Sequence, residues 1–287
     1  MSEISSVLVH VDESRHCPDR IRFAADLAQR SHASLAGLAV VAGGMPPSPP
    51  ARHDTLKSWN AAMTEHRQFV RGRVEEHFAG LRRQMPGAQC DTRELQGAGK
   101  IAAVIAQEAR RADLVVLGQN TADMARPNGT GMTAQDVMLT CGRPVLLVPH
   151  VGGFPGISKR PLIAWSESRE AARALQDALP LLRYADTVYL LEVGDPDASP
   201  GDIARRRTAL AGVARYLESH ALLVAVEYLP AAHAGDPGRL ILSRANECGA
   251  DLLVMGGYGH SRVWEIAWGG VTRSILSSMN LPVLMSH

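Results

Sequence analysis

The chain has 287 residues, 46% of them hydrophobic and 21% charged, with a formal net charge of +1, so it is long enough for two domains of ordinary size, each with its own core. That charge balance gives no global attraction to nucleic acid or to an acidic membrane surface, and partners have to be argued locally. No apolar run approaches the roughly twenty residues that span a bilayer. Residues 1–3 lead straight into a strand-like run without a signal-peptide pattern, so no membrane association is expected and the cytoplasm is the expected compartment.

Residues 6–11 (SVLVHV) read as a buried strand, broken by Asp12, Glu13 and Ser14. Pro18 then marks a first helical turn, and Ile21, Ala24, Ala25 and Ala28 fall on one helix face. A second strand is predicted at 34–41 (SLAGLAVV). Residues 43–50 (GGMPPSPP) form a loop by composition, since prolines remove backbone donors and fix an extended path. Helical spacing returns with Val70, Val74, Phe78 and Leu81, and 89–95 offers a short polar third strand. A helix over 100–111 leads to the buried strand 112–118 (ADLVVLG). The cysteines Cys17, Cys90, Cys141 and Cys248 show no C-x-x-C pair and are read as reduced and packed.

Residues 250–256 read ADLLVMG, which repeats ADLVVLG at an offset of 256 − 118 = 138. The same offset carries Gly97 to Gly235 and Pro144 to Pro282, so the chain contains an internal repeat. The second copy opens at 160–165 (RPLIAW), where Ser166, Glu167 and Ser168 stand opposite Asp12, Glu13 and Ser14 at an offset of 154. Helices are predicted over 169–183, with Ala172, Leu175, Leu179 and Leu182 on one face, and over 203–219, 239–248 and 271–279. Strands are predicted over 188–193, 222–229, 251–255 and 282–285. Each half alternates strand and helix, the pattern of a mainly parallel sheet covered on both faces, and residues 152–158 (GGFPGIS) mark the boundary.

In such sheets ligands sit beyond the carboxyl ends of the strands, where strand order reverses. The stretch 255–272 (MGGYGHSRVWEIAWGGVT) follows one such end, and its glycines leave bare backbone amides that can cradle phosphate. Gly256-x-x-Gly259, nine residues, then Gly269-Gly270-Val271-Thr272 resembles the ATP-binding motif of the universal stress protein family. With the repeat and the flanking strands, the resemblance covers nearly all of both halves.

That resemblance implies a tandem α/β protein with two doubly wound domains, 1–151 and 160–287, each a mainly parallel five-stranded sheet of order 3-2-1-4-5. It further implies an ATP-binding stress-response regulator that forms a homodimer, with magnesium held by the nucleotide's phosphates. Met255, Gly256 and Gly259 would line the nucleotide, and Gly269, Gly270, Val271 and Thr272 would offer amides, with the Thr272 hydroxyl, at a helix start. Val193 would contact adenine through its backbone, and Ala164, Trp165 and Ser166 would form the first-strand edge.

Two positions depart from the family pattern. Gly270 stands where Ser or Thr is usual, and Ser166 where an aspartate is usual, so affinity should fall without the site vanishing. In the first half Asp12 and Ser14 are kept, but Thr121, Met132 and Ala134 replace Gly259, Gly270 and Thr272, so that half is expected to bind ATP poorly or not at all. Trp264, Ile266 and Trp268 alternate inside the nine-residue insert, as a lid, a protein contact or internal packing. No catalytic constellation stands out. Slow ATP hydrolysis is the enzymatic alternative, and a signalling or structural dimer holding another small ligand is the other.

Overall fold

The computed structural model describes residues 3–42, 56–95, 100–119, 134–152, 154, 158–230, 235–257 and 265–287. The chain divides into two compact units, Ile4–Arg143 and Pro144–His287, the latter also taking in Glu3.

In the first unit the order is β1 (Ser6–Val11), α1 (Cys17–Arg30), β2 (Ser34–Ala42), α2 (Leu56–Gln84), β3 (Gln89–Leu95), α3 (Ile101–Ala109), β4 (Leu114–Gly118) and α4 (Ala134–Cys141). Its strands run β3-β2-β1-β4, all parallel. The β4 residues are buried throughout, as their continuous apolar run requires of a strand covered on both faces. Helices α1 and α2 pack together, as do α3 and α4, the arrangement that right-handed crossovers give when strand order reverses. Helix α4 lies beyond the helices anticipated from the sequence. Ala134, Val137, Met138 and Cys141, at i, i+3, i+4 and i+7, are its buried face.

The second unit contains β5 (Val145–Val148), β6 (Pro161–Trp165), α5 (Arg169–Leu182), β7 (Val188–Gly194), α6 (Pro200–Glu218), β8 (Val224–Pro230), α7 (Pro237–Glu247), β9 (Leu252–Gly256), α8 (Glu265–Ser278) and β10 (Val283–Ser286). Strand order is β5-β10-β9-β6-β7-β8. The run β8-β7-β6-β9-β10 reproduces the expected 3-2-1-4-5 order, with every pair parallel. The sixth strand corrects the expected strand count. β5, anticipated as the fifth strand of the first domain, belongs to this unit and joins β10 antiparallel, with Val283 opposite Leu147 and Met285 opposite Val145. Both strands are apolar and buried, and an unpaired edge of that kind would leave a row of backbone donors and acceptors without partners.

Helix α5 buries Ala171, Ala174, Leu175, Ala178 and Leu179, whereas Ala172, anticipated on that face, is exposed. Among the described residues no helix is long and apolar enough to cross a membrane, and all four cysteines are free thiols.

Candidate functional site

The second unit brings the carboxyl ends of β6 and β9 side by side, with Ala164 opposite Met255, at the point where strand order reverses. Beyond β6, the Ser168 backbone N–H donates to the Ser166 carbonyl at 2.7 Å, and the two serine hydroxyls lie 3.0 Å apart. Ser168 then caps α5, its hydroxyl accepting from Ala171 N at 3.1 Å. Beyond β9, Gly257 N donates to the Ser286 carbonyl at 2.9 Å, and His287 Nδ1 donates to the Gly257 carbonyl at 3.0 Å. The tip of β10 thereby fixes the start of the glycine stretch.

Gly256 has a packing role that the sequence did not disclose. A β-carbon there would lie 2.5 Å from Ala171 N and 2.7 Å from the Glu170 carbonyl carbon. Strand β9 therefore runs into the first turn of α5 backbone against backbone, and only glycine permits it. Met255 is buried at 6% exposure, and Val193 lies on β7 in register with Leu229. Trp165 also lines a cleft of about 400 Å³ between α5 and α6, together with Leu175, Gln176, Ala209 and Tyr216. Gly259 lies outside the described residues.

The helix start is where the structure departs most from expectation. Helix α8 begins at Glu265, six residues before the anticipated Val271, so Gly269, Gly270, Val271 and Thr272 lie inside it. Only the first four N–H groups of a helix lack an intrahelical acceptor, and here they belong to the turn opening at Glu265. Val271 and Thr272 are buried at 2% exposure, while Gly270 is exposed with open space where a β-carbon would stand. Each glycine costs a helix about 1 kcal/mol relative to alanine. The burial of Val271, Ile275 and Met279 offsets that cost.

Beside this crevice lies an ionic group absent from the expected set. Glu192, on β7, is 2% exposed and accepts from Arg206 of α6 at 2.8 Å. The same guanidinium nitrogen lies 3.6 Å from Glu167, which sits between Ser166 and Ser168. Burial pushes the Glu192 carboxyl above its ordinary value, Arg206 pulling it partway back. The signal available in the sequence was a lone carboxylate within the buried strand VYLLEV.

In the first unit the corresponding place is filled from within. Arg20, 2% exposed, reaches from α1 across the ends of β1 and β4. Its Nε donates to the His10 carbonyl at 2.8 Å and its Nη2 pairs with Asp12 Oδ2 at 2.8 Å. Its guanidinium occupies the space that a β-carbon on Gly118 would need. The other Asp12 oxygen accepts from Ser14 N at 3.0 Å, and His77 donates through Nδ1 to the Asp12 carbonyl at 2.8 Å.

Burial alone would raise the Asp12 carboxyl, but Arg20, His10 and Ser14 hold it far below its ordinary value. Burial lowers His10 to about 4 and raises the neighbouring Cys17 thiol to about 11. That keeps the thiol protonated and inert. The repeat position of Arg20 in the second unit, 154 residues on, is Ala174, whose methyl group cannot make this reach. Ala134, opposite Thr272, opens α4 and is buried, while Thr121 and Met132 lie outside the described residues. Among the described residues no group of three or more His, Cys, Asp or Glu side chains could hold a metal ion.

Comparison with known proteins matches this arrangement twice. The sequence model of the Universal stress protein family fits residues 3–149 and again 158–287. A curated relative, universal stress protein Slr1230 of Synechocystis, is 28% identical over 175 residues, covering 60% of this chain and 57% of its own length. A universal stress protein from Archaeoglobus fulgidus superposes with a TM-score of 0.70 at 16% identity, over 99% of this chain and 96% of its own. A protein of unknown function from Pseudomonas aeruginosa, PA1789, superposes at 0.57 with 14% identity, over 99% and 92%. At such identities the superpositions speak to the fold alone. The family model covers nearly the whole chain in two tandem copies, and the chain belongs to the universal stress protein family.

Proposed function

We propose that this chain is a regulatory member of its family that holds one adenine nucleotide per chain, ATP with magnesium on its phosphates, at the strand ends of the second unit. The observation that supports this most is the contrast at the two reversal points. Arg20 and Asp12 neutralise each other in the first crevice, whereas Ala174 leaves the second without a side chain of that length. Backbone at Met255, Gly256 and Gly259 would face the sugar and phosphates, Ala164, Trp165 and Ser166 would form the β6 edge, and Val193 would meet the base. Gly269, Gly270, Val271 and Thr272 lie within α8, past the amides that have no intrahelical acceptor. Since α8 opens at Glu265, amides at its first turn are the nearer donors.

Isothermal titration of the nucleotide-stripped full chain tests the reading. It should give saturable ATP binding near one equivalent, reduced by Gly259→Val. No heat with ATP, ADP or AMP overturns it. A second reading, a signalling dimer in the cytoplasm with another small ligand, draws on the burial of Thr272 and the engagement of the Ser166 hydroxyl with Ser168. Mass spectrometry of whatever co-purifies with the native protein separates the two, because a non-adenine ligand favours the second. ATP turnover equal in wild type and Gly259→Val would assign any hydrolysis to a contaminant.

A further inference from the structure

Glu192 has no counterpart in the fold's own requirements. Its Cα partners are Trp165 on β6 and Tyr228 on β8, so the three side chains share one face of the sheet. In the corresponding row of the first unit Val11, the counterpart of Trp165, stands opposite Ala39, and both are buried. An apolar pair therefore packs this row adequately. A carboxylate buried there carries a desolvation penalty that a leucine would not.

What the carboxylate supplies is a fixed anchor for Arg206, and Arg206 has a second partner. One guanidinium nitrogen lies 2.8 Å from Glu192 and 3.6 Å from Glu167. Glu167 is the middle residue of the Ser166–Ser168 turn, whose last residue caps α5. That first turn of α5 is also what β9 meets at Gly256.

We propose that Arg206 is a positioning residue for the candidate site: anchored on buried Glu192, it draws Glu167 and the Ser166–Ser168 turn onto the ends of β6 and β7. The charged and titratable groups facing Glu192 are Arg206 on α6, Glu167 on the turn and Tyr228 on β8. The raised Glu192 carboxyl agrees with an anchor placed for geometry and at a cost to stability. The consequence for ligand binding rests on the nucleotide reading above, but the ordering of the turn does not.

The experiment therefore has two arms on the full-length chain. In the first, without nucleotide, hydrogen exchange is followed for peptides covering 164–172. Glu167→Gln, which leaves the Arg206–Glu192 pair intact, should speed exchange there by about tenfold with the melting temperature unchanged. The double variant Glu192→Leu/Arg206→Leu, which replaces the buried ion pair by apolar side chains, should keep the melting temperature and show the same loosened turn, and Arg206→Lys should retain most of the protection. Wild-type protection in both Glu167→Gln and the double variant overturns the proposal.

The second arm measures ATP affinity, which should fall by about tenfold in both loosened variants. Wild-type affinity in them, with the turn loosened, overturns the link to binding. If the wild-type chain binds no nucleotide, the proposed function fails and the exchange arm still decides this one.

Discussion

The two units apply one chain pattern to opposite electrostatic ends. In the first, the crevice at the strand reversal is closed by a buried Arg20–Asp12 pair beside a neutral His10. In the second, Ala174 stands in α5 at the repeat position of Arg20 and Ser166 follows β6, and the ionic group has moved one strand outward, to Glu192 and Arg206. An internal guanidinium and a bound ligand are alternative ways to satisfy polar groups at such a crevice. On the proposed nucleotide reading the duplicated chain uses both, with one copy as a self-sufficient scaffold and the other as the binding copy.

The strongest way to break this contrast is Arg20→Ala. It leaves the Asp12 charge buried without its cation, and breaking such a pair typically costs about 3–5 kcal/mol. Chemical denaturation should show the first unit unfolding at lower denaturant, while ATP binding by the second unit persists. A stability change within error would show that the pair contributes nothing net.

Acid should separate the units in the same direction. His10 has an ordinary value of 6.5 and titrates in the folded chain at about 4, so between those values the unfolded state binds more protons. Stability contributed by neutral His10 is therefore present above pH 6.5 and is lost as pH falls towards 4, with Asp12 adding to the loss at lower pH. Glu192 has the opposite sign. Its carboxyl is raised, so falling pH through its folded value relieves a cost. Thermal melts across this range, followed by exchange in β1 and in β7, should show protection falling in β1 first.

A smaller effect is expected at Gly256→Ala, where the new methyl meets α5 backbone that can yield only by moving the helix. Overpacking of this kind costs about 1–3 kcal/mol, and ATP affinity should fall with it. Gly270→Ser is the mildest change and the one expected to improve the site. Nothing lies within 4 Å of a β-carbon at that position, so the hydroxyl usual in the family can be added without strain. A gain of about 0.5–1.5 kcal/mol in ATP binding is expected from one neutral hydrogen bond. Unchanged affinity would place the phosphates away from Gly270, at the earlier turn of α8.

Apart from α4 and the placing of β5, the order of strands and helices was legible because buried parallel strands read as continuous apolar runs, and the 138-residue repeat supplied an internal control. The α8 start was not. Gly269 and Gly270 look like a stop, but packing of Val271 and Ile275 carries the helix through them. Arg20 was overlooked because charge in a helix reads as solvent-facing. Its phase with Ala24 and Leu27, all buried, together with Asp12 eight residues upstream, was the available clue. The packing role of Gly256 could not be read at all, since it depends on where α5 begins relative to a strand over eighty residues away.

The β5–β10 ladder also limits how chains of this kind can assemble. In the second unit β10 has β9 on one side and β5 on the other, so both of its hydrogen-bonding flanks are occupied. A self-associating copy cannot extend the second unit's sheet there. Among the described residues of this unit no strand lies on the outer side of β8, where Val226 is 48% exposed, as is Leu223 just before the strand, at 68%. A homodimer built by strand addition along that flank would respond to a lysine placed at Val226 while ignoring changes in β10.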